Sequence, residues 1–324
     1  MMWILAGAVV MVLVALVLQS IGIRGYGLVE TALLAMTPLA LAAIGESLNE
    51  QAGTINVGLE GIFLITAAAG VYWAEIFNDG LAGLLLGSAT GAVIGCVFGL
   101  ITTYGKADQV IAGMGLNIFA IGFVPFLLFS IWGVPGIHMF STDLMVRAYR
   151  FELPVGLFNV SPVTLATVVL AILAYLLLRR TLLGIRIRAA GENPIAVDVA
   201  GVDVNRLRIV MSTVGGALAG LGGAFIPLAW FGGLVKEISA GRGFIALAAV
   251  VFSGLNPLVA LAAAFIFGFS EALAVVVTIT PGVKEFVPFY FVQMTPYIVT
   301  LVILVVAIGQ RKFPRAVGKP YIRE

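Results

Sequence analysis

The sequence predicts an all-α fold: a polytopic helical membrane protein with about ten transmembrane segments, one of them short or re-entrant. Its 324 residues are 61% hydrophobic and 10% charged, with mean hydropathy +1.13, beyond the apolar content of a soluble domain. Apolar runs of about 20 residues recur along the chain, the length needed to cross ~30 Å of hydrocarbon. The short segments of alternating polarity that a β-barrel requires are not seen.

Taken in order, the spans fall at 2–21, 28–46, 57–77, 80–104, 109–132, 161–178, 208–231, 244–255, 257–279 and 291–309. Residues 1–324 read as one transmembrane domain. The first run lacks a basic n-region and a small-x-small cleavage site, so it reads as a retained span. The run 244–255 is too short to cross alone and reads as a half-helix or a re-entrant segment. Placing both termini in the cytoplasm puts Arg24, Arg147, Arg150, Lys236, Arg242 and Lys284 outside. That leaves 18 − 6 = 12 Lys and Arg inside, as the positive-inside rule prefers.

The fourth span carries Gly83, Gly87, Gly91, Gly95 and Gly99 at a constant spacing of four, a row that lets helix backbones approach closely. Each step of four advances about 40°, so the row winds around its helix. Gly216, Gly220 and Ala224 repeat the pattern in the seventh span.

Two polar blocks interrupt the apolar runs. Residues 46–61, ESLNEQAGTINVGLEG, bring Glu46, Asn49, Glu50, Gln51, Asn56 and Glu60 to the start of the third span. A charge in hydrocarbon costs at least ~2.5 kcal/mol, so such groups normally face a bundle interior or a water-filled path. Glycines 53, 58 and 61 permit a broken backbone, which is tolerated where it lines a cavity or is buried in protein. Asn56 and Glu60 therefore read as path-lining residues. The alternative is an ordinary short loop, with Glu60 favoured by the dipole of the next helix. Residues 239–257, SAGRGFIALAAVVFSGLNP, form a Gly-Arg-Gly turn before the short span. There Arg242 can meet an anion, pair with a carboxylate or snorkel to the interface. Glu271, Asn117 and Gln293 are further polar groups within spans, the amides by default bonding between helices.

A third block is charged. Residues 179–208 hold six arginines and three acids (Glu192, Asp198, Asp203), a net 6 − 3 = +3, between two apolar runs. Glu192, Asn193 and Pro194 have the character of a helix start. Ala196, Ala200 and Gly201 follow as a small face on which a partner can pack, and Asp198 can set register by charge; the alternative is a solvated positive-inside loop with a surface helix.

Several chemistries are excluded. The stretch 99–106 has five residues between its glycine and Gly105, and Ala107 stands where a phosphate loop needs Ser or Thr, so this chain does not hydrolyse ATP. One Cys (Cys96, in a span) and one His (His138, in a loop and read as solvated) preclude an intrachain disulfide or a Cys/His metal cluster. An intramembrane transferase would need paired Asp for Mg²⁺, which the chain lacks.

In their order, these blocks resemble the permease family of ABC importers for branched-chain amino acids, ribose-type sugars and nucleosides, the nucleoside branch most of all. Residues 46–61 are similar to its Asn-x-Gly-Leu-Glu-Gly signature, and 105–117 (GKADQVIAGMGLN) to its next turn and span. Residues 183–208 and 239–257 resemble its Gly-Glu-Asn-Pro loop and Gly-Arg-Gly-Phe block. The resemblance covers most of the chain from about residue 30.

It implies a multi-pass inner-membrane subunit whose Glu192, Asn193, Pro194, Ala196, Asp198, Ala200 and Gly201 couple to a partner ATPase that holds ATP and Mg, with no cofactor on this chain. It also implies a second, related permease subunit, an extracytoplasmic substrate-binding protein and a surrounding of membrane lipid, with no nucleic-acid partner. Asn56, Glu60, Asn117, Arg242, Phe244 and Glu271 are the expected path residues, with Phe63, Phe119 and Phe225 as aromatic platforms for a nucleoside. A stand-alone transporter driven by ions through Glu60 or Glu271 is the rival reading, which the ordered 183–208 motif disfavours.

Overall fold

In the computed structural model of the chain, residues 25–145, 160–279, 294, 298 and 313–321 are described. The expected spans at 2–21 and 291–309 fall outside them, apart from two helical residues, 294 and 298. The long helices are α1 (Gly25–Gln51), α2 (Leu59–Phe77), α3 (Gly80–Thr103), α4 (Gln109–Trp132), α5 (Pro162–Arg180), α8 (Val204–Phe225) and α10 (Pro257–Ile279). Short helices α6 (Leu182–Glu192) and α7 (Pro194–Val199) lie between α5 and α8, and α9 (Arg242–Ser253) precedes α10. Seven helices among the described residues are long and apolar enough to cross a membrane. The chain is an all-α, multi-pass membrane protein. Its described strands are β1 (Ile137–His138) and β2 (Leu234–Val235), paired antiparallel.

Local chemistry sets the helix starts. Asp79 caps α3, Asp108 caps α4, Ser161 with Pro162 opens α5, Thr181 caps α6, Asn193 with Pro194 opens α7, and Asp203 caps α8. Each side-chain oxygen accepts an otherwise orphaned N–H in the first turn. Helix α8 continues as a wider turn through Ile226–Phe231, where Pro227 has no N–H to give the regular ladder.

The bundle is organised around α8, which packs against α1, α2 and α3. The glycine row of α3 runs antiparallel down α8 in a fixed register. Gly83 faces Leu228, Gly87 faces Ala224, Gly91 faces Gly220, Gly95 faces Gly216 and Gly99 faces Ser212. A Cβ on Gly91 would lie 2.6 Å from the Gly220 Cα, and one on Gly216 would lie 2.8 Å from the Gly95 Cα. Only hydrogen fits at these glycines. The winding of the row appears at its upper end, where Gly83 and Gly87 also meet Gly70 of α2.

Candidate functional site

The polar block 46–61 is a buried break between α1 and α2. Helix α1 runs on past the expected end at residue 46 to Gln51, and Glu46, Asn49, Glu50, Asn56 and Glu60 are all buried. Gly53 turns the chain with φ +91°, and a Cβ there would sit 2.6 Å from the Arg208 guanidinium. Side chains then bind the backbone that has left the helix. Ser212 donates to Asn49 Oδ1 (2.8 Å), Asn49 to Glu46 Oε2 (3.2 Å), and the Asn56 N–H to Glu46 Oε1 (2.6 Å). From α4, Asn117 accepts from the Gly61 N–H at 2.8 Å and donates to the Val57 carbonyl at 3.0 Å. Gln109 accepts from the Ile55 N–H at 2.8 Å. Non-helical backbone inside a membrane bundle survives only when its polar groups are satisfied in this way.

Glu60 joins that break to α9. Its carboxylate accepts from the Ser239 hydroxyl (2.5 Å) and from the N–H groups of Gly241 (2.8 Å) and Gly243 (2.7 Å). It therefore caps α9, a helix far along the chain, as well as standing in the first turn of its own. Helix α9 has 12 residues, about 18 Å, a length that matches roughly half the hydrocarbon. Arg242 at its start is buried and forms an ion pair with Glu271 of α10. It also donates to the Ile238 and Ser239 carbonyls and lies 4.7 Å over the Trp230 ring. Of the roles open to Arg242, pairing with a carboxylate is the one observed. Glu60, Arg242 and Glu271 form one cluster with α9 at its centre.

The charged block folds as α6, α7 and the start of α8. Asn193 Oδ1 accepts from the Ala196 N–H at 3.1 Å, and the following turn ends at Gly201, φ +83°. Glu192, Asn193, Ala196, Ala200 and Gly201 are exposed and Pro194 is half-buried. Two apolar residues not singled out in the sequence complete this face, Ile195 (61% exposed) and Val199 (84% exposed). Only Val197 turns inward, among the apolar residues of α7. Asp198 accepts a hydrogen bond from Tyr321 at 3.0 Å, so its observed partner lies within the chain.

Residues 28–308 match the family described as branched-chain amino acid transport system / permease component. The chain belongs to this family. It is 31% identical over 313 residues to the guanosine ABC transporter permease protein NupQ of Bacillus subtilis, covering 91% of this chain and 96% of the relative. The nucleoside ABC transporter permease protein NupC of Lactococcus lactis subsp. cremoris is 33% identical over 320 residues, with the same two coverages. The putative glucose ABC transporter permease protein TsgC13 of Haloferax volcanii is 34% identical over 259 residues, 76% of each chain. The chain is thus an ABC permease, a transport subunit of the membrane.

The permease differs from its sequence-based description in two aromatic details. Phe63 and Phe225 are fully buried in the core, so neither has a face free to stack on a solute; Phe119 and Phe244 are exposed. His138 is a clamped residue, not a solvated one. Its Nε2 lies 2.6 Å from Glu75 Oε1, its ring stacks on Trp132 at 4.7 Å, and Trp132 donates to the other oxygen of Glu75 at 2.6 Å. No spacing in the sequence joins residues 75, 132 and 138. Their meeting follows from the parallel packing of α2 and α4, which brings Glu75 and Trp132 to the same end, and from the β1–β2 pairing.

Proposed function

We propose that this permease takes up nucleosides or related small polar solutes, driven by ATP hydrolysed on partner subunits, by alternating access. The observation that carries this reading is the face of α7. A six-residue helix, capped by Asn193 and rooted by Val197, exposes Ile195, Ala196, Val199 and Ala200 between charged segments. Exposed apolar residues held on a rigid turn are the character of a docking surface. The nucleoside assignment is supported by the names of NupQ and NupC, each matched over 91% of the chain.

In the mechanism, ATP binding closes two ATPase subunits against α7 and its counterpart on a second, related permease subunit. Net work comes from the difference in ATP affinity between the two states, not from chemistry on this chain. Motion of α7 passes through α6 and α8 to the packed seam with α3. The Glu60–α9–Arg242–Glu271 cluster is the element that re-packs. The bonds that Glu60 accepts from Ser239, Gly241 and Gly243, with the Arg242–Glu271 pair, keep α9 as one piece while it moves. Asn56 and Asn117 hold the adjoining break in shape, and the exposed Phe244 ring is offered to the path. An extracytoplasmic binding protein delivers the solute, α7 and both termini face the cytoplasm, and ATP with Mg belongs to the partner.

The test is isolation of the permease from its native membrane in mild detergent, followed by reconstitution and uptake of radiolabelled guanosine. Co-purification of a Walker-motif ATPase and uptake that requires ATP are expected. Uptake by the permease alone, following pH or Na⁺, would overturn the reading.

A further inference from the structure

The tail segment 313–321 crosses the end of the bundle that carries α6 and α7, and its chemistry is specific. The Ala316 N–H donates to the Gly191 carbonyl at the end of α6 (2.9 Å). Arg208, buried in the first turns of α8, donates to the Lys319 carbonyl (3.0 Å), the Ala316 carbonyl (3.5 Å) and the Ala52 carbonyl of the polar break (3.3 Å). Lys106, in the α3–α4 turn with φ +54°, donates to the Tyr321 carbonyl. Tyr321 is buried, and its phenol donates to Asp198 on α7 at 3.0 Å.

The fit is close where these pieces meet. A Cβ on Gly191 would stand 3.1 Å from Pro314 and would also strike the Gln51 carbonyl. A groove of about 320 Å³ remains between strap and helix, lined by Glu192, Asn193, Arg208, Arg315, Lys319 and Tyr321 among others.

Nine residues thus bridge the α3–α4 turn, the polar break, α6, α7 and α8. Within α7 only Val197 is buried, so the short helix has little packing of its own to hold it. A six-residue helix is also too short to be stable by backbone hydrogen bonds alone. Something outside it must fix where it stands, and the Tyr321 phenol on Asp198 is a contact that does so.

We propose that residues 313–321 are a strap that positions α7, and that Tyr321 is the positioning residue through which displacement of α7 reaches the polar break and α8. This rests on α7 being the element that meets the ATPase. Arg208 completes the strap, because its guanidinium bonds the strap carbonyls and the break carbonyl together. Force applied to α7 is then transmitted to the Gly53–Asn56 turn instead of being lost as local tilting of a loosely held helix.

The experiment uses the assembled transporter in liposomes, with radiolabelled guanosine as probe and ATP hydrolysis measured in parallel. Tyr321→Phe keeps the ring and removes only the hydroxyl. We expect the ATPase to stay bound and ATP to be hydrolysed, while guanosine imported per ATP falls about fivefold, the weight of one such hydrogen bond. Asp198→Asn, which alters the acceptor, should fall similarly, and the double variant should fall no further, as a shared contact requires. Wild-type import per ATP in Tyr321→Phe, or additive losses in the double variant, would overturn the strap. Failure of the underlying reading looks different, since wild-type permease would then bind no ATPase and show no ATP-dependent uptake.

Discussion

Glu60 on α2 holds the backbone N–H of Gly243 on α9 at 2.7 Å, across 183 residues of sequence. The same carboxylate receives Ser239 and Gly241, so both oxygens act as acceptors. A carboxylate meets this demand because it accepts on every side, whereas an amide presents two donors on its nitrogen. Position 243 admits no side chain, since a Cβ added there would lie 2.5 Å from the Glu60 Cα.

Glu60→Gln should therefore loosen α9 even though charge is removed from an apolar bundle. At least one N–H or O–H loses its acceptor, at about 2 kcal/mol. Thermal unfolding in detergent should shift downward and guanosine uptake should fall, with the chain still inserted. Unchanged stability and uptake would mean that Glu60 is a dispensable helix-end charge.

The α3–α8 seam predicts opposite signs for one substitution at different glycines. Gly91→Ala and Gly95→Ala should each cost about 1–3 kcal/mol by overpacking against Gly220 and Gly216. Gly122→Ala on α4, where an added Cβ meets nothing within 4 Å, should be neutral or stabilising by about 0.5 kcal/mol. Melting temperatures of the three variants in one detergent decide this.

Breaking the Arg242–Glu271 pair should be more damaging than deleting it. Arg242→Ala leaves a mostly buried carboxylate without its cation, a loss of about 3 kcal/mol or more. Arg242→Ala combined with Glu271→Ala should recover part of that stability, while uptake stays low because α9 has lost its anchor. A double variant no more stable than Arg242→Ala would show that the two residues do not act as a pair.

At the end of α7, Val199→Arg and Ala200→Arg alter exposed positions and should leave stability within about 0.5 kcal/mol of wild type. Both should abolish co-purification of the ATPase and solute-stimulated ATP hydrolysis. Normal stimulation in Ala200→Arg would remove α7 from the docking role.

Much of this permease is legible in its order of residues. The seven long helices between residues 25 and 279 stand where apolar length and capping residues predict them, and the run near 244–255 is a short apolar helix as its length requires. Asn193 and Pro194 open a helix because a cap acts three residues away, within reach of local reading. The glycine row announced close packing, and Gly216, Gly220 and Ala224 carried the matching half of the seam. Their pairing, Gly91 with Gly220 and Gly95 with Gly216, is a register that either row alone leaves open.

Hydropathy, spacing and caps are short-range properties, and the sequence by itself determined what depends on them: an all-α membrane bundle, its helix starts and the polar blocks that break it. Tertiary structure alone decided which partners those polar groups take. Glu60 caps α9 and not only its own helix, Arg242 meets Glu271, His138 meets Glu75, and Tyr321 reaches Asp198. In hydrocarbon a buried polar group must find a partner, but that need is indifferent to how far along the chain the partner lies. The packing of α2, α9, α10, β1, α7 and the tail segment against one another brings those distant groups within 3 Å or so, and no periodicity records it.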